Sequence, residues 1–545
     1  MDSPIKKDQK RQTPLGKSEG GSSKSAKNAR GRRQNRWSAV RRVLAAFSLL
    51  AITALFLDLS GTLHGWLGWL AKLQLLPAIM AANFAVIAGI AVVTLLFGRI
   101  YCSVICPLGI FQDGVSHLSG LRSGRSAEGR SGGSKRLRFG WKPERKWLRY
   151  GVFTVFVLAL IFGIHVLVTV LAPYSAYGRM VGNLLQPLWL WGNNLLANIA
   201  EHYDSYAFYT RDVWMKSLPT FIVAGLTFVV LSVLAWWNGR EYCNSICPVG
   251  TALGLLSRFA MFRPVIDADK CKNCKLCEKG CKSSCIDIAN HKIDYSRCVD
   301  CLNCLDTCKF DALHYKFGWK TTDAAKKAAA PAETPKDPGR RAFLTGTAML
   351  VGAAALDAQD TKFDGGFAKV LPKREPEREG RLVPPGARSA NDFYSRCTAC
   401  GLCVAACPNG VLRPSADLEH LMQPHMSFER GYCRPECTEC SQVCPAGAIL
   451  PITPEEKSDI SIGIAEVDYE LCVVNRDGVS CGNCARHCPA GAIRMVAQEG
   501  SELRIPSVDA SRCIGCGRCE YLCPSRPHSA IHVNGRVKHI NISES

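Results

Sequence analysis

Apolar residues are concentrated in four stretches of the first half of the chain. They cover about residues 43–57, 75–97, 150–172 and 218–237, and the first of them is the shortest. A helix needs about 20 apolar residues to cross about 30 Å of hydrocarbon, so each stretch is close to the length of a membrane span. The pattern predicts a membrane four-helix bundle within residues 43–262.

The residues before and between these stretches carry the positive charge of the chain. Residues 1–42 are mainly Lys, Arg, Ser, Gly and Gln, which predicts a disordered basic tail. The connection from Gly98 to Arg149 is also rich in Lys and Arg, whereas the other two connections carry few. Because basic connections remain in the cytoplasm, both ends of the bundle are predicted to face it. We therefore attribute the formal charge of +21 to membrane topology and predict no nucleic-acid partner.

A cysteine motif occurs twice, after the second and the fourth apolar stretch. Gly98–Gly109 reads GRIYCSVICPLG and Gly239–Gly250 reads GREYCNSICPVG, which indicates a duplicated two-helix unit. The i, i+4 spacing places both cysteines of a copy on one helical face. Three roles remain open: joint binding of a cofactor, electron exchange as dithiols, or packing as small apolar groups. The cysteines concerned are Cys102, Cys106, Cys243 and Cys247.

Histidine positions argue against a haem-binding bundle. A cytochrome of this kind needs pairs of inward-facing histidines, but only His165 lies well inside a predicted span. His64 and His202 lie outside the spans. The sequence therefore predicts no bis-histidine haem site.

Eight regularly spaced cysteines within residues 263–315 predict a two-cluster ferredoxin domain. Their C-x2-C-x2-C-x3-C spacing is typical of 4Fe-4S clusters, in which the fourth cysteine of a run binds the neighbouring cluster. Cys285 is left over and is an alternative to Cys281, which the x3 spacing favours. The two predicted ligand sets are Cys271, Cys274, Cys277 and Cys308, and Cys298, Cys301, Cys304 and Cys281.

The segment after this domain predicts an export signal between two linkers. Residues 316–339 and 359–390 have the composition of linkers. Between them, within residues 340–358, Arg340 and Arg341 precede a short Ala-rich apolar run, as in twin-arginine signals. The alternative is a loop that happens to hold two arginines. Because clusters are inserted in the cytoplasm, a folded domain would have to be exported, and the C-terminal domain is predicted to lie outside.

Sixteen further cysteines predict a four-cluster 4Fe-4S domain within residues 391–535. They form four runs, each ending in Cys-Pro, with widened first gaps in the second and third runs. Zinc sites prefer separated C-x2-C pairs, and disulfide frameworks suit short secreted chains, so both alternatives fit poorly. Applying the crossing rule gives four sets. They are Cys397, Cys400, Cys403 and Cys444; Cys433, Cys437, Cys440 and Cys407; Cys472, Cys481, Cys484 and Cys523; and Cys513, Cys516, Cys519 and Cys488.

These motifs resemble two ferredoxin families joined in one chain. The repeated C-x3-C-P unit followed by two clusters resembles the NapH-type (MauN-like) membrane ferredoxins of periplasmic nitrate reductase systems. The twin-arginine segment followed by four clusters resembles the NapG-type (MauM-like) partner. The resemblance implies a quinol dehydrogenase component whose fold combines the membrane bundle with α+β ferredoxin-like 4Fe-4S modules. The missing prolines after Cys281 and Cys308 and the extra Cys285 depart from the family pattern.

The resemblance implies electron transport from the quinol pool to a periplasmic reductase. Its cofactors would be about six 4Fe-4S clusters, with quinol as electron donor. Its partners would be membrane lipid, quinone and a periplasmic redox protein, and its location the bacterial inner membrane. No nucleotide-binding or flavin motif indicates a catalytic residue. The alternatives are an electron supply for maturation or regulation of another metalloprotein, as in the NosR and CcoG types, and a scaffold in which the clusters are structural.

Overall fold

The computed structural model contains a helical domain (residues 21–258), a small domain (residues 262–318) and a C-terminal domain (residues 371–544). We call the small domain the first ferredoxin domain, after the prediction from its cysteine spacing. The predicted signal at residues 340–358 lies outside the described residues, together with most of the linker at 316–339 and the first part of the linker at 359–390. The structure describes residues 21–58, 61–125, 139–205, 207–318, 371–498 and 500–544.

The helical domain consists of helices of very different length. Two of them, α1 and α12, contain 21-residue apolar stretches, and most of the others are short. The elements are α1 (Gly21–Leu57), α2 (Thr62–Leu67), α3 (Trp69–Lys72), α4 (Leu75–Met80), α5 (Phe84–Phe97), α6 (Tyr101–Val104), α7 (Pro107–Arg125), α8 (Lys146–Ile161), α9 (His165–Leu171), α10 (Pro173–Met180), a π-helical turn (Val181–Leu185), α11 (Gln186–His202), α12 (Leu218–Asn238), α13 (Glu241–Ser245) and α14 (Pro248–Ser257).

The predicted four-span bundle is wrong in its number of long helices. In the described ranges, only Trp37–Leu57 and Leu218–Asn238 are long and apolar enough to cross a membrane. The second predicted span breaks at Ala82 (φ 52°), after which the Asn83 side chain caps α5. The third breaks at Gly163 (φ 72°). A left-handed residue interrupts the helical hydrogen-bond ladder, and apolar composition alone does not reveal it.

The predicted disordered tail at residues 1–42 is also partly wrong. Residues 1–20 lie outside the described residues, but α1 already begins at Gly21. Lys, Arg, Ala and Gln are good helix formers. The basic segment is also anchored, because buried Arg41 pairs with Asp113 at 3.6 Å.

The apolar part of α1 runs from the first ferredoxin domain to the C-terminal domain. Near its start, the Ser38 hydroxyl donates to Asp306 of the first ferredoxin domain at 2.6 Å. Just beyond its end, Gly61 approaches Glu439 of the C-terminal domain so closely that a Cβ would lie 2.8 Å from Oε2. A 21-residue helix is about 30 Å long. The two cluster-bearing domains therefore lie at opposite ends of this helix.

Helix α12 runs in the opposite direction between the same two domains. Before its first residue, Lys216 Nζ donates to the carbonyl oxygen of Val404 in the C-terminal domain at 3.4 Å. After its last residue, the Arg240 N–H donates to the carbonyl oxygen of Lys282 in the first ferredoxin domain at 2.9 Å. Both long apolar helices thus connect the two domains.

The first ferredoxin domain is a small α+β unit. Its outer strands, β1 (Phe262–Ile266) and β4 (Leu313–Phe317), pair antiparallel with Phe262 opposite Phe317. Strands β2 (Ile286–Asp287) and β3 (Lys292–Ile293) form a short hairpin. Helices α15 (Leu276–Lys279) and α16 (Asn303–Thr307) each begin within a cysteine run.

The C-terminal domain consists of three antiparallel strand pairs and short helices around the cysteine runs. Strand β5 pairs with β6, β7 with β10, and β8 with β9. The elements are α17 (Ala390–Arg396), α18 (Leu402–Ala406), β5 (Leu412–Pro414), β6 (Pro424–Met426), α19 (Glu439–Val443), α20 (Pro454–Asp459), β7 (Ile460–Val467), α21 (Val473–Arg476), α22 (Asn483–Arg486), β8 (Ile493–Gln498), β9 (Ser501–Val508), α23 (Arg518–Leu522), β10 (Ile531–Asn541) and a 3₁₀ turn (Ile542–Glu544).

The end of the predicted linker at residues 359–390 belongs to the C-terminal domain instead. Leu382 and Val383 are fully buried in its core. Arg378 pairs with buried Glu520 at 2.6 Å. The segment is polar enough to have the composition of a linker, but its few apolar residues and the ion pairs of Arg378 and Arg381 fix it to the domain.

Candidate iron–sulfur sites and the buried thiol quartet

The four cysteine runs with strict C-x2-C-x2-C spacing share one local backbone conformation. In each run, the residues just before and just after the second cysteine have positive φ. Successive N–H groups in such conformations turn toward one concavity and attract anions, as at many iron–sulfur sites. The residues are Asn273 (50°) and Lys275 (57°), Asp300 (47°) and Leu302 (61°), Ala399 (51°) and Gly401 (77°), and Gly515 (72°) and Gly517 (74°).

The two runs with a widened first gap lack this conformation after the second cysteine. Thr438 has φ −118° and Gly482 has φ 175°. The inserted residues lengthen the loop, so that the same tight turn is not required.

In the first ferredoxin domain, one predicted cysteine set lines a single cavity. Its walls are completed by apolar side chains, among them Ile266 and Leu313. The structure therefore brings together residues that are up to 37 positions apart in the sequence. The set is Cys271, Cys274, Cys277 and Cys308.

The second cavity of this domain is lined by five cysteines rather than four. Cys281 and Cys285 both reach it, and their sulfur atoms lie 3.5 Å apart. Either Cys281 or Cys285 is therefore placed to be the crossing ligand. The other three cysteines of the cavity are Cys298, Cys301 and Cys304.

In the C-terminal domain, the first two predicted sets line separate cavities. Each cavity contains three cysteines of one run and the last cysteine of the other, as the crossing rule predicts. One holds Cys397, Cys400, Cys403 and Cys444, and the other holds Cys433, Cys437, Cys440 and Cys407.

The remaining eight cysteines also fall into the predicted groups. Burial raises the pKa of Cys484 to about 11, and the neighbouring thiols Cys481, Cys523 and Cys472 contribute. Burial likewise raises the pKa of Cys516 to about 12, with contributions from Cys433 and from Cys513 and Cys488 of its own predicted set. Thiols that affect each other's ionisation in this way lie close together.

The four groups of the C-terminal domain are arranged in series. Burial raises the pKa of Cys403, and neighbouring thiols raise it further. One of these neighbours is Cys440, which belongs to the next group. The Cys433 N–H donates to the carbonyl oxygen of Cys516 at 3.0 Å, which joins the second group to the fourth. Cys484 of the third group is among the neighbours of Cys519 in the fourth. The order in space is therefore first, second, fourth, third.

Within the described ranges, no three His, Cys, Asp or Glu side chains are placed to hold a single metal ion. Four of the cysteine groups surround cavities, and the strict runs add concave N–H groups. In a 4Fe-4S cluster, four cysteine thiolates bind the cluster as a whole. These residues therefore fit a negatively charged cluster.

The two C-x3-C-P motifs bring their four cysteines together in the helical domain. All four are buried, and we call them the thiol quartet: Cys102, Cys106, Cys243 and Cys247. Burial raises the pKa of Cys106 to about 12, and the neighbouring thiols Cys102 and Cys243 contribute to this increase. Gln112 Nε2 lies 3.3 Å from the Cys243 sulfur. The predicted duplicated unit thus forms one site from both copies.

The two motif arginines hold the copies together. Arg240 donates to the carbonyl oxygen of Cys102 at 2.7 Å, and Arg99 donates to the carbonyl oxygen of Cys243 at 3.2 Å. Both arginines are about 99% buried or more. The sequence repeat shows these arginines, but it does not indicate that each reaches the other copy.

The glycines before these arginines dock the first ferredoxin domain. Gly98 has φ 73°, and a Cβ there would lie 2.1 Å from Asp300 Oδ2. Gly239 has φ 67°, and a Cβ would lie 2.4 Å from the carbonyl oxygen of Lys282. Only glycine combines this conformation with such close contact. The quartet therefore lies directly beside the domain that carries Cys281, Cys285 and the run from Cys298.

Asp113 is the buried anion of this junction. It accepts two hydrogen bonds from Arg240, both at 2.8 Å, and lies 3.6 Å from Arg41 and from Lys282. Burial alone would raise its pKa, but these cations hold the pKa of Asp113 well below the ordinary value. One carboxylate thus joins α1, α7, the second motif and the first ferredoxin domain.

Helix α10 lies between the quartet and the C-terminal domain. All eight of its residues are buried. At one side, Arg179 interacts electrostatically with Tyr242, which in turn faces Cys243 and Cys247. At the other side, Gly178 approaches the C-terminal domain so closely that a Cβ would lie 2.3 Å from the carbonyl oxygen of Cys400.

A large cavity that the sequence did not predict lies at the C-terminal end of the helical domain. We call it the interfacial cavity; it measures about 420 Å³ and is lined by, among others, Asp58, Trp214, Lys216 and Cys407. Arg413 and Arg430 stack on Trp214, at 4.6 and 4.9 Å from the ring centre. Its residues come from six separate segments, and no single motif marks it.

Known protein families match parts of the helical domain and of the C-terminal domain. The 4Fe-4S binding domain family matches residues 79–126 and 218–265, each of which contains one C-x3-C-P motif. The 4Fe-4S dicluster domain family matches residues 396–448 and 479–526. Ferredoxin domains of the 4Fe-4S type are therefore present in two regions of the chain.

Several known proteins are similar to parts of the chain. The methylamine utilization ferredoxin-type protein MauM of Methylobacillus flagellatus is 33% identical over 200 residues, which cover 35% of this chain and 81% of MauM. The ferredoxin-type protein NapG of Escherichia coli is 34% identical over 197 residues, covering 34% of this chain and 81% of NapG. The putative electron transport protein YccM of Escherichia coli is 23% identical over 51% of this chain and 70% of YccM. No solved structure matches the chain. The identity and coverage show that the chain belongs to the family of ferredoxin-type 4Fe-4S proteins that includes MauM and NapG.

Proposed function

We propose that this protein is a membrane-bound electron carrier that takes electrons from quinol and passes them to a redox partner outside the cytoplasm. The observation that carries the proposal is the position of the cysteine groups. Two lie at one end of the helical domain, four lie in series at the other end, and the thiol quartet lies between them. Each of the six groups would hold one 4Fe-4S cluster, which supplies one-electron transfer when bound.

The exposed surface of the helices supports insertion in a membrane. Only 22% of the apolar window of α12 is buried, and Leu226 is 63% exposed. A contiguous apolar surface of this kind on helices of spanning length is suited to lipid. Exposed tryptophans lie near both ends of the long helices, as at membrane interfaces. They are Trp37, Trp147 and Trp237 at one end, and Trp66, Trp69, Trp189 and Trp191 at the other.

The domain arrangement supports the predicted placement of the two cluster domains on opposite sides. Both long apolar helices run from the first ferredoxin domain to the C-terminal domain. Residues 319–370, which contain Arg340 and Arg341, join Gly318 at one end to Leu371 at the other. A twin-arginine signal in this connection would place the C-terminal domain outside the cytoplasm.

The helical domain, whose C-x3-C-P repeat resembles NapH-type proteins, would carry electrons between the two sides of the membrane. The quartet lies beside the first ferredoxin domain, and α10 fills the space between the quartet and Cys400. Arg179 and Tyr242 lie along this connection, as described above. A cofactor held by the quartet would divide the distance across the membrane into two shorter electron transfers. Among the three roles open for these cysteines, we therefore propose cofactor binding.

The proposal is tested by anaerobic reduction of the purified full-length protein with a short-chain quinol. Electron paramagnetic resonance should show 4Fe-4S signals after quinol addition, and none after addition of the corresponding quinone. Dithionite provides the reference for complete reduction. If dithionite reduces the clusters but quinol leaves them oxidised, the protein does not draw electrons from quinol, and a role in supplying electrons to another metalloprotein becomes the better account.

A further inference from the structure

We infer that the interfacial cavity binds the quinol head group and that quinol is oxidised there, directly beside the C-terminal domain. This inference rests on the proposed function and adds the site. The cavity of about 420 Å³ has the size of a small-molecule site. It is lined by residues of the helical domain and of the C-terminal domain, including Cys407, which belongs to a predicted cluster set.

The position of the cavity suits a ligand that enters from lipid. Asp58 directly follows the last residue of α1, and Lys216 lies two residues before the start of α12. The cavity therefore lies where both long apolar helices end. At this level a quinol can place its polar ring in the protein while its apolar tail remains among lipid chains.

Helix α11 provides an apolar approach to the cavity. Gln186 and Leu190, four residues apart on one face, line it. Other side chains of the same helix are exposed and apolar, with Leu188 at 65%, Trp191 at 70% and Leu195 at 62% exposure. An isoprenoid tail could follow this surface to the cavity.

The cavity also contains a proton acceptor. Asp58 lines it and accepts a hydrogen bond from His64 Nδ1 at 3.2 Å. Because a carboxylate only accepts, His64 donates through Nδ1 and orients Asp58. The His64 side chain is 93% buried, and Asp58 is the acceptor that faces the cavity.

Lys216 supplies a donor on the opposite side. Its Nζ donates to Gln186 Oε1 at 3.1 Å and to the carbonyl oxygen of Val404 at 3.4 Å. An ammonium group has three donors, so one remains for a quinol oxygen. Asp58 and Lys216 thus offer the acceptor and the donor that the two oxygens of a hydroquinone require.

Oxidation of a hydroquinone to a quinone releases two electrons and two protons. Both O–H bonds of the hydroquinone break and the ring becomes a quinone. Two electrons leave, and the oxidants would be two 4Fe-4S clusters, one held by the group of Cys407 and the other by the adjacent group of Cys516, which the hydrogen bond from Cys433 joins to it. One proton goes to the Asp58 carboxylate and the other to solvent.

The inference is tested with two measurements on the full-length protein in detergent. An azido-quinone photolabel should attach to peptides within residues 186–216 or 404–434, and excess unlabelled quinone should prevent this. Asp58→Asn should slow cluster reduction by a short-chain quinol at least tenfold, while reduction by dithionite and iron content stay unchanged. Asp204→Asn, at an exposed position just after α11, is the matched control and should reduce at the wild-type rate.

The contrary outcomes distinguish a wrong quinol site from a wrong function. Labelling elsewhere, with quinol reduction intact and Asp58→Asn normal, would place the quinol site outside this cavity and leave the proposed function standing. Labelling in the cavity with a normal Asp58→Asn rate would overturn the role of Asp58. Failure of quinol to reduce the wild-type clusters, when dithionite does, would overturn the proposed function itself.

Discussion

The guanidinium group of Arg240 lies 2.7 Å from the carbonyl oxygen of Cys102, although the two residues belong to different copies of the C-x3-C-P motif. Arg99 makes the equivalent contact to Cys243 at 3.2 Å. The two copies are therefore locked together by an exchange of arginines across the thiol quartet. Because the same arginines follow the glycines that dock the first ferredoxin domain, one structural unit fixes both the quartet and its neighbour.

Arg240→Gln is expected to destabilise the helical domain strongly. The substitution leaves Asp113 buried with only Arg41 and Lys282 at 3.6 Å. Removing one partner of a buried pair typically costs about 3–5 kcal/mol. Thermal unfolding in detergent should show the loss, whereas the exposed Arg145→Gln should change stability by less than about 0.5 kcal/mol.

The double variant Arg240→Gln/Asp113→Asn separates charge from packing. Because it removes both buried charges, it should lose less stability than the sum of the two single variants. Additive losses would show that the ion pair does not couple these residues.

The choice between Cys281 and Cys285 can be decided by iron content. We expect Cys281→Ser to lose the iron of one cluster, because Cys281 has the x3 spacing of a crossing ligand. Cys285→Ser should retain full iron. The opposite result would assign the ligand to Cys285, whose sulfur lies 3.5 Å away.

Arg179→Gln is expected to lower the reduction potential of one cluster. Arg179 is 97% buried, donates to the carbonyl oxygen of Thr169 at 2.9 Å, and interacts electrostatically with Cys400. Net charge near a cluster tunes its potential, and a buried positive charge favours the reduced form. A redox titration should show a decrease of about 59 mV, equivalent to a tenfold change in a one-electron equilibrium constant.

Arg179→Lys is the matched control because it keeps the charge. Its potential should remain near that of the wild type. A decrease of similar size in both variants would point to altered packing of α10 instead of lost charge.

The cysteine groups can be anticipated from the sequence because the spacing within each run is local. The turn around Cys400, with Ala399 and Gly401 at positive φ, is determined by neighbouring residues. The sequence predicted the helices less well, since hydropathy does not show that Ala82 and Gly163 end a helix. The interfacial cavity could not be predicted, because Asp58, Trp214 and Cys407 meet only in the folded chain.

Membrane sidedness of the C-terminal domain is the most direct test of the central claim that the protein carries electrons across a membrane. Protease added to spheroplasts should digest the C-terminal domain of the wild type. It should leave the domain intact in Arg340→Lys/Arg341→Lys, because the altered signal retains the domain in the cytoplasm. Protection of the domain in both proteins would contradict the account and place all six cysteine groups in the cytoplasm.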